Sequence, residues 1–265
     1  MNGVRHFLLA LQFFTRVPVT GPLAGWVGFS PAMLRASAAH FPGVGWLVGL
    51  VGAGVFWIAL AGLPGPSGAL AAAVLSTVAT VLMTGAFHED GLADLADGLG
   101  GSTDRARALE IMKDSRIGAF GAIALALALG LKVALLATLA ARGALGAALA
   151  LAAAHVLSRL APLFLIRWLP YVGAENAASK SRPLADAIDT GALAVGAAWS
   201  LPAAALLLMT RGAAQGLAAV VLCALAAFCM ARLLGRRLHG FTGDGLGATQ
   251  QVCELAIYLA LAWRA

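Results

Sequence analysis

The sequence is poor in charged residues and in cysteine. Only 11% of its 265 residues are Asp, Glu, Lys or Arg, whereas a soluble domain of this length carries roughly a quarter. This scarcity excludes an ordinary soluble globular domain. The three cysteines, Cys223, Cys229 and Cys253, lie in apolar runs without a CxxC pair or a histidine partner. Disulfides and thiolate metal sites are therefore excluded as their role, and small core positions fit them better.

Long apolar runs take the place of the missing charge. The chain is 61% hydrophobic and its mean hydropathy is +0.88, and runs of about 20 apolar residues predict membrane-spanning helices. We predict an all-α, polytopic integral membrane bundle of about seven spans that forms a single domain over residues 1–265. The predicted spans are 40–63, 65–87, 118–141, 143–167, 191–210, 212–231 and 245–263.

The first 18 residues have a polar and an apolar helical face. Arg5, Gln12 and Arg16 fall on one side, and Phe7, Leu8, Leu11 and Phe14 on the other. This pattern predicts an amphipathic helix in the membrane interface over 1–18. A tilted first span is the alternative, and the polar interruptions argue against a cleaved signal peptide.

The basic residues predict the orientation of the bundle. Of 18 Lys and Arg residues, thirteen fall on one predicted side, three on the other and two inside spans. Positive residues favour the cytoplasmic side, so the polar segments 88–117, 168–190 and 232–244 are all predicted to be cytoplasmic. The net charge of +6 is thereby explained by orientation, and we expect no nucleic-acid partner.

An acidic motif, FHEDGLADLADGLGG, follows the second predicted span at residues 87–101. In a helix, Asp90, Asp94 and Asp97 fall at i, i+4 and i+7 and form one stripe, with Glu89 beside it. Like charges on one stripe repel each other, and a divalent cation offsets that repulsion. Oxygen-only ligands favour magnesium. The three aspartates are therefore predicted to be metal ligands.

A second arm follows the glycines of the motif. Ser102 is a predicted N-cap of a helix over about 103–116, which Gly118 can end. This arm carries acids, including Asp114, and the bases Lys113 and Arg116. A helical hairpin that combines a metal ion with cations suits a pyrophosphate. The alternative is a solvated loop between spans, which the helical register of the aspartates disfavours.

Two basic residues lie inside predicted spans. Arg159 has His155 one turn before it on the same face, and either an acid partner or a substrate phosphate explains a buried arginine. His155 fits a hydrogen-bonded core histidine. Lys132 lies in mid-span, where pairing, snorkelling to the interface and a functional role are all open.

A further acid lies near the last predicted span. Thr242 or Asp244 can cap that helix. Asp244 is also predicted at the cytoplasmic side among glycines, where it can bind a metal or act as the base for an incoming hydroxyl. Glu254, ten residues later, has no clear role in the sequence.

Four stretches resemble, in order, the signature of the cobalamin synthase family, the adenosylcobinamide-GDP ribazoletransferases. They are LLALQFFTRVPV, FHEDGLADLADGLGG, EIMKDSRIGAFG and TGDGLGA. The resemblance covers the whole chain, and the acidic motif with its second arm is its most specific part. Segment 173–188 matches the family pattern least. Within this sequence, the family motif falls on His88, Glu89, Asp90, Asp94, Asp97, Lys113, Asp114, Arg116 and Asp244.

The resemblance implies a multi-pass enzyme of the bacterial inner membrane that acts late in vitamin B12 synthesis. It implies that adenosylcobinamide-GDP and α-ribazole, or its 5′-phosphate, are joined with release of GMP, and that Mg²⁺ is the cofactor. The active site is expected to face the cytoplasm. A homo-oligomer and complexes with other enzymes of the pathway are left open, and the lipid bilayer is an expected partner.

Residue roles combine this resemblance with the pattern of charges. We expect Asp90, Asp94 and Asp97 to hold one or two Mg²⁺ ions. We expect the substrate to be bound by four residues: His88, Lys113, Arg116 and Arg159. The hydroxyl is to be oriented or deprotonated by Glu89, Asp114 or Asp244, among which the sequence does not choose.

Two other enzyme families and one class of transport protein fit parts of the pattern. CDP-alcohol phosphotransferases and aspartate-rich prenyltransferases also hold magnesium on spaced aspartates, but the AR element of the former is missing at the corresponding place. A cation transporter would carry its acids near the bilayer midplane, often beside broken helices. The main acidic cluster here is predicted at one membrane face, which favours a phosphotransferase.

Overall fold

Helices make up nearly all of the structure. The computed structural model describes residues 2–173 and 188–263, and within these ranges it contains no β-strand. The first helices are α1 (Asn2–Phe14), α2 (Gly21–Val27), α3 (Pro31–Ser37), α4 (Phe41–Gly62), α5 (Pro66–Thr84), α6 (Phe87–Gly101) and α7 (Arg105–Ile111). The others are α8 (Ala119–Ala140), α9 (Ala144–Leu157), α10 (Ala161–Trp168), α11 (Thr190–Arg211), α12 (Ala213–Arg237) and α13 (Gly243–Ala262). A 3₁₀ turn, Ala38–His40, joins α3 to α4.

Within the described residues, six helical stretches are long and apolar enough to cross a membrane. They are Pro31–Gly62, Pro66–Thr84, Ala119–Ala140, Ala144–Trp168, Thr190–Arg211 and Ala213–Arg237. Large apolar side chains such as Ile58, Leu82 and Leu127 point outward and are exposed, as suits contact with lipid. The predicted all-α, multi-pass membrane bundle is thereby confirmed.

The seventh predicted span, 245–263, is helix α13, which lies in the centre of the bundle. It packs against α6, α8, α9, α10 and α12. Its polar residues make it less apolar than the six stretches above, and most of them are buried, including Gln250, Gln251 and Glu254. The position of α13 explains this composition, because its polar side chains meet other helices and not lipid.

Two predicted continuous helices are broken in the structure. The chain leaves α5 at Gly85 and Ala86, whose φ angles of 66° and 59° are both left-handed, before α6 begins. A Cβ atom on Gly85 would also meet the Arg16 side chain, which would have to move. The predicted span 143–167 breaks between α9 and α10, where Ser158 to Leu160 form a turn and Pro162 follows.

The predicted helical hairpin is present, and its second arm is shorter than expected. Helix α7 begins after Asp104, whose carboxylate accepts a hydrogen bond from the Arg107 backbone N–H. Ser102, the predicted cap, instead accepts from the Asp104 N–H. Gly118 stands at the N-cap of α8 and not at the end of α7. After Ile111 the turn tightens, and the N–H groups of Lys113 and Asp114 donate three residues back, to the backbone oxygens of Glu110 and Ile111.

The polar segments 88–117 and 232–244 meet at one end of the bundle. Arg237 donates to the backbone oxygens of Leu99 and Ser102, and Arg105 Nε donates to Leu238 O at 2.6 Å. At the other end, Arg142 donates to the backbone oxygen of Leu261. Most of segment 168–190 lies outside the described residues.

Helix α1 packs against the bundle through one face. Leu9, Leu11 and Phe14 are buried, whereas Gln12 and Arg16 are exposed. The apolar face of the predicted amphipathic helix therefore packs against the bundle. The position of this helix in the membrane interface stays a prediction. Of the cysteines, Cys223 and Cys253 are buried and all three are free.

Candidate active site

Helix α6 carries the three aspartates of the acidic motif along one stripe, as the spacing predicts. Asp90 is exposed, Asp94 is partly buried and Asp97 is buried. The stripe therefore runs from solvent at its start to the neighbouring helix α8 at its end.

Asp97 caps helix α8. Its two carboxylate oxygens accept hydrogen bonds from the backbone N–H groups of Gly118, at 2.7 Å, and Gly121, at 2.8 Å. Gly118 has no side chain with which to cap the helix itself, so Asp97 satisfies free N–H groups from a distance and places a negative charge at the helix N-terminus. The structure thus gives Asp97 different partners from Asp90 and Asp94, and its predicted metal-binding role is untested.

The first turn of α13 places Asp244 against α6. A Cβ atom on Gly91 would lie 2.9 Å from the backbone oxygen of Asp244, and one on Gly247 would lie 3.3 Å from the backbone oxygen of His88. Glycine at these two positions lets the helices approach closely. Thr242 caps α13 by accepting from the Gly245 N–H at 3.0 Å, which leaves the Asp244 carboxylate available for other partners.

The carboxylates of Asp90, Asp94 and Asp244 act on one another electrostatically. Burial and the charges of Asp90 and Asp97 raise the pKa of Asp94 to about 6. Burial and the charges of Asp94 and Asp90 raise the pKa of Asp244 to about 7. Asp94 and Asp244 are harder to ionise because burial removes water from them and because neighbouring carboxylates place negative charge beside them. A cation bound among them would relieve this repulsion.

The donor set fits a hard cation that completes its coordination from substrate and water. Among the described residues, no three His, Cys, Asp or Glu side chains form a ready-made metal site. Magnesium is commonly held by one or two carboxylates together with phosphate oxygens and water. Asp90 and Asp94, both on the solvent side of the stripe, match that requirement.

The second arm carries an ion pair between Asp114 and Arg116. The two side chains lie 2.6 Å apart and are exposed. Hydrogen bonds from the Arg116 side chain and backbone lower the pKa of Asp114 to about 2. Lys113 is exposed beside them. These residues line a solvent-open groove of about 730 Å³ between α6, α7 and α8, which we call the α7 groove.

Glu89 faces the interior and not the α7 groove. It is buried, and its Oε1 accepts from Gln251 Nε2 at 3.1 Å. Gln251 also donates to Gln250, and Gln250 donates to Glu254 at 2.7 Å. Glu254 pairs with Lys132 at 2.7 Å. Of the three explanations left open for Lys132, the structure shows pairing, and Glu254 gains the role that the sequence left open.

This buried network is the part of the site that sequence reasoning missed. Gln251 joins α13 to Glu89 of α6, Gln250 donates to Ser158 at the end of α9, and Glu254 pairs with Lys132 of α8. Tyr258 donates to Glu254 at 3.1 Å within α13. A signal was available, because Gln250, Glu254 and Tyr258 recur every four residues in an otherwise apolar helix. That spacing places them on one face of α13.

Arg159 and His88 lie behind the acidic stripe. Arg159 Nη1 donates to the His155 backbone oxygen at 2.8 Å, and 3% of the residue is exposed. His88 is buried and stacks on Phe14, and burial lowers its pKa well below the ordinary value. Both residues line a small cavity of about 30 Å³ with Phe87. Neither faces the α7 groove, so their predicted contacts with substrate stay predictions.

Comparisons with known proteins are decisive for the family. The family model described as "Cobalamin-5-phosphate synthase" matches residues 6–262. The chain belongs to the cobalamin-5-phosphate synthase family. A relative from Albidiferax ferrireducens, named adenosylcobinamide-GDP ribazoletransferase, is 59% identical over 98% of each chain. A relative with the same name from Polaromonas sp. is 57% identical over 98% of this chain and 96% of its own. Another, from Polaromonas naphthalenivorans, is 55% identical over 99% of each chain. No solved structure matches the chain.

Membership in the cobalamin-5-phosphate synthase family makes this chain an enzyme of cobalamin synthesis. The family match spans all four stretches that carried the resemblance, from the first helix to the last. Neither a CDP-alcohol phosphotransferase nor a cation transporter is favoured by these comparisons.

Proposed function

We propose that this chain transfers the adenosylcobinamide-phosphate moiety of adenosylcobinamide-GDP to α-ribazole, or to its 5′-phosphate, and releases GMP. The proposal extends to this chain the activity for which its relatives of 55–59% identity are named. One structural observation carries it: two helices bring Asp90, Asp94 and Asp244 together beside a groove lined by Lys113 and Arg116. Carboxylates that can hold a cation, next to basic side chains, suit a pyrophosphate.

Asp90 and Asp94 would hold a magnesium ion. When bound, Mg²⁺ neutralises pyrophosphate charge and stabilises the departing phosphate. The chain itself supplies the orientation, because Gly91 and Gly247 fix the distance between α6 and α13. Asp97 holds the start of α8 in place, which keeps the α7 groove next to the stripe.

Asp244 is the strongest candidate to orient and deprotonate the attacking hydroxyl. Both oxygens of Asp114 are engaged by Arg116, and Glu89 is turned into the buried network. Asp244 lies close enough to Asp94 and Asp90 for their charges to raise its pKa, and Thr242 caps α13 in its place. A carboxylate at this position can take the hydroxyl proton as the oxygen attacks phosphorus.

Lys113 and Arg116 would neutralise the phosphate of the departing GMP. The Arg116 guanidinium donates to Asp114 from Nε and Nη2. Its third nitrogen has no partner among the described residues and can donate to phosphate. Positioning and charge neutralisation are the main requirements of phosphoryl transfer, so no covalent intermediate with the chain is needed.

The proposal also covers the location of the enzyme. We place the chain in the bacterial inner membrane with the acidic stripe at the cytoplasmic face, because positive residues concentrate at that end of the bundle. Nucleotide substrates are available there.

The test is turnover by purified protein in lipid nanodiscs. Adenosylcobinamide-GDP, α-ribazole and Mg²⁺ are supplied, and GMP and adenosylcobalamin are measured. We expect both products in equal amounts, and none with Asp94→Asn. The matched control, Asp104→Asn, also removes one charge near the site but keeps a good helix cap, and it should turn over normally. Folded wild-type protein that releases no GMP would refute the function.

A further inference from the structure

The α7 groove lies directly beyond the acidic stripe. Its polar walls are Arg107, Glu110, Lys113, Asp114 and Arg116, and Asp97 stands at its inner end. Asp97 is one turn after Asp94 on the same face of α6. Seven residues of helix, about 10 Å, separate Asp94 from Gly101 at the far edge of the groove. The volume of about 730 Å³ is in the range of small-molecule sites.

The groove combines three cations with three carboxylates. The cations Arg107, Lys113 and Arg116 suit a phosphate. The carboxylates repel a phosphate, so they require another explanation. Asp97 is occupied by two backbone N–H groups of α8, and Asp114 by the Arg116 side chain. These two carboxylates therefore serve the protein itself.

Glu110 differs from the other two carboxylates. Its Oε2 accepts from Arg107 Nη1 at 2.7 Å, while its Oε1 has no partner among the residues that the structure describes. The side chains of Arg107 and Glu110 are 60% and 69% exposed. Solvent therefore weakens the ion pair between them, and it rearranges readily. Among the described residues that line the groove, Glu110 is therefore the carboxylate with a whole oxygen left to accept hydrogen bonds from a ligand.

Apolar side chains line the same groove as Glu110. Ile117 and Phe120 are 60% and 52% exposed and line the same groove, and Ile111 is partly buried beside them. Exposed aromatic rings are common platforms for nucleobases, since every base has a face that can stack. A base on this surface would have its edge near Glu110.

We infer that the α7 groove binds a guanine nucleotide, with Glu110 accepting hydrogen bonds from the base. Guanine presents two donors on one edge, the ring N1–H and the exocyclic 2-amino group, and a carboxylate with two oxygens matches that pair. Adenine lacks the N1–H donor, and hypoxanthine lacks the 2-amino group. The cations of the groove hold the phosphate toward Asp94. This assignment rests on the proposed function and adds a specificity residue to it.

Binding of GMP, IMP and AMP to the protein in nanodiscs tests the assignment by calorimetry, without turnover. In the wild type we expect GMP to bind at least tenfold more tightly than IMP. IMP lacks the 2-amino group, so one hydrogen bond to the charged Glu110 carboxylate is lost. AMP should bind more weakly still. In Glu110→Gln, which has a similar shape but no charge, GMP affinity should fall about tenfold, and the GMP preference should shrink to about threefold or less.

Asp104→Asn is the matched control for this experiment. It removes one acid from the start of the same helix, outside the groove lining, and asparagine caps as well as aspartate does. Its GMP-to-IMP ratio should equal that of the wild type. The melting temperature of each variant shows whether α7 remains folded. Glu110 is exposed, so its replacement should leave the melting temperature unchanged.

The outcomes separate this inference from the proposed function. A wild type without GMP preference, or Glu110→Gln with the full preference, overturns the role of Glu110 even if the enzyme turns over. Discriminating GMP binding without any turnover overturns the proposed reaction and leaves the guanine site standing. Absence of measurable GMP binding by folded protein overturns the guanine site.

Discussion

Asp94 and Asp244 are the two carboxylates of the site whose ionisation the fold opposes. Both are partly buried, and both lie near Asp90. The sequence placed Asp94 on the stripe through helical spacing alone. It did not show that Asp244, about 150 positions later, would raise the local charge further, because that proximity depends on the packing of α6 against α13.

The stability of the metal-free protein should fall as the pH rises from about 4 to about 7. The folded pKa values of about 6 for Asp94 and about 7 for Asp244 exceed the ordinary value near 3.9. The folded state therefore binds more protons than the unfolded state between about pH 4 and pH 7, and stability is lost as the pH rises through that window. We expect the melting temperature of Asp244→Asn to exceed that of the wild type at about pH 8 by more than at about pH 5.

Magnesium should reverse this loss. Adding Mg²⁺ should raise the wild-type melting temperature more at about pH 8 than at about pH 5, because the cation binds ionised carboxylates. In Asp94→Asn the effect of Mg²⁺ should largely disappear. An effect of Mg²⁺ that is equal at both pH values would contradict a site built from these groups.

Asp97 is expected to act on stability more than on metal binding. In Asp97→Asn, one acceptor oxygen remains for two N–H groups, so we expect a loss of roughly 1–3 kcal/mol in the free energy of unfolding. The measurement is the melting temperature with and without Mg²⁺. The stabilisation by Mg²⁺ should persist, unlike in Asp94→Asn. If Asp97→Asn keeps its melting temperature and loses the response to Mg²⁺, Asp97 is a ligand as the sequence predicted.

At the scale of helices, the contact of α6 with α13 determines the geometry of the site. In Gly91→Ala, the new Cβ would lie 2.9 Å from the Asp244 backbone oxygen, so the helices must separate. We expect turnover to fall at least tenfold through misplacement of Asp244, as measured by GMP release. Gly130→Ala in α8, whose Cβ would meet nothing within 4 Å, is the control and should be as active as the wild type.

The pair of Lys132 and Glu254 joins α8 to α13 below the site. Lys132→Met alone leaves a buried carboxylate with less compensation, which typically costs about 3–5 kcal/mol. The double variant Lys132→Met, Glu254→Met removes both charges and should recover much of that loss. Thermal unfolding in nanodiscs measures the effect. Equal melting temperatures for the single and double variants would contradict a direct coupling of the two residues.

The scale of elements also shows where sequence reasoning reached its limit. Apolar length predicted the long helices closely, because burial in lipid depends on composition. It did not predict the breaks at Gly85–Ala86 and Ser158–Leu160, since glycine is common within these helices and a single left-handed residue such as Ala86 leaves no pattern. The buried network was missed because its partners come from different helices.

At the scale of the whole molecule, the charged loops gather at one end of the bundle, and labelling can establish which membrane face that is. Thr103→Cys and Ser67→Cys place exposed thiols at opposite ends, in a Cys229→Ala background. We expect a membrane-impermeant maleimide to label position 103 in inverted inner-membrane vesicles and position 67 in intact spheroplasts. The reverse pattern would place the acidic stripe outside the cytoplasm.

The sequence by itself determined the membrane class of the protein, the stripe of Asp90, Asp94 and Asp97, and the family resemblance. Each of these depends on composition or on short-range spacing, which are properties of the chain before it folds. Only the tertiary structure decided that Asp97 caps α8, that Asp244 faces Asp94, that Glu89 joins the buried network and that Glu110 lines a groove. These roles depend on which helices pack together, because partners far apart along the chain leave no mark in the local pattern.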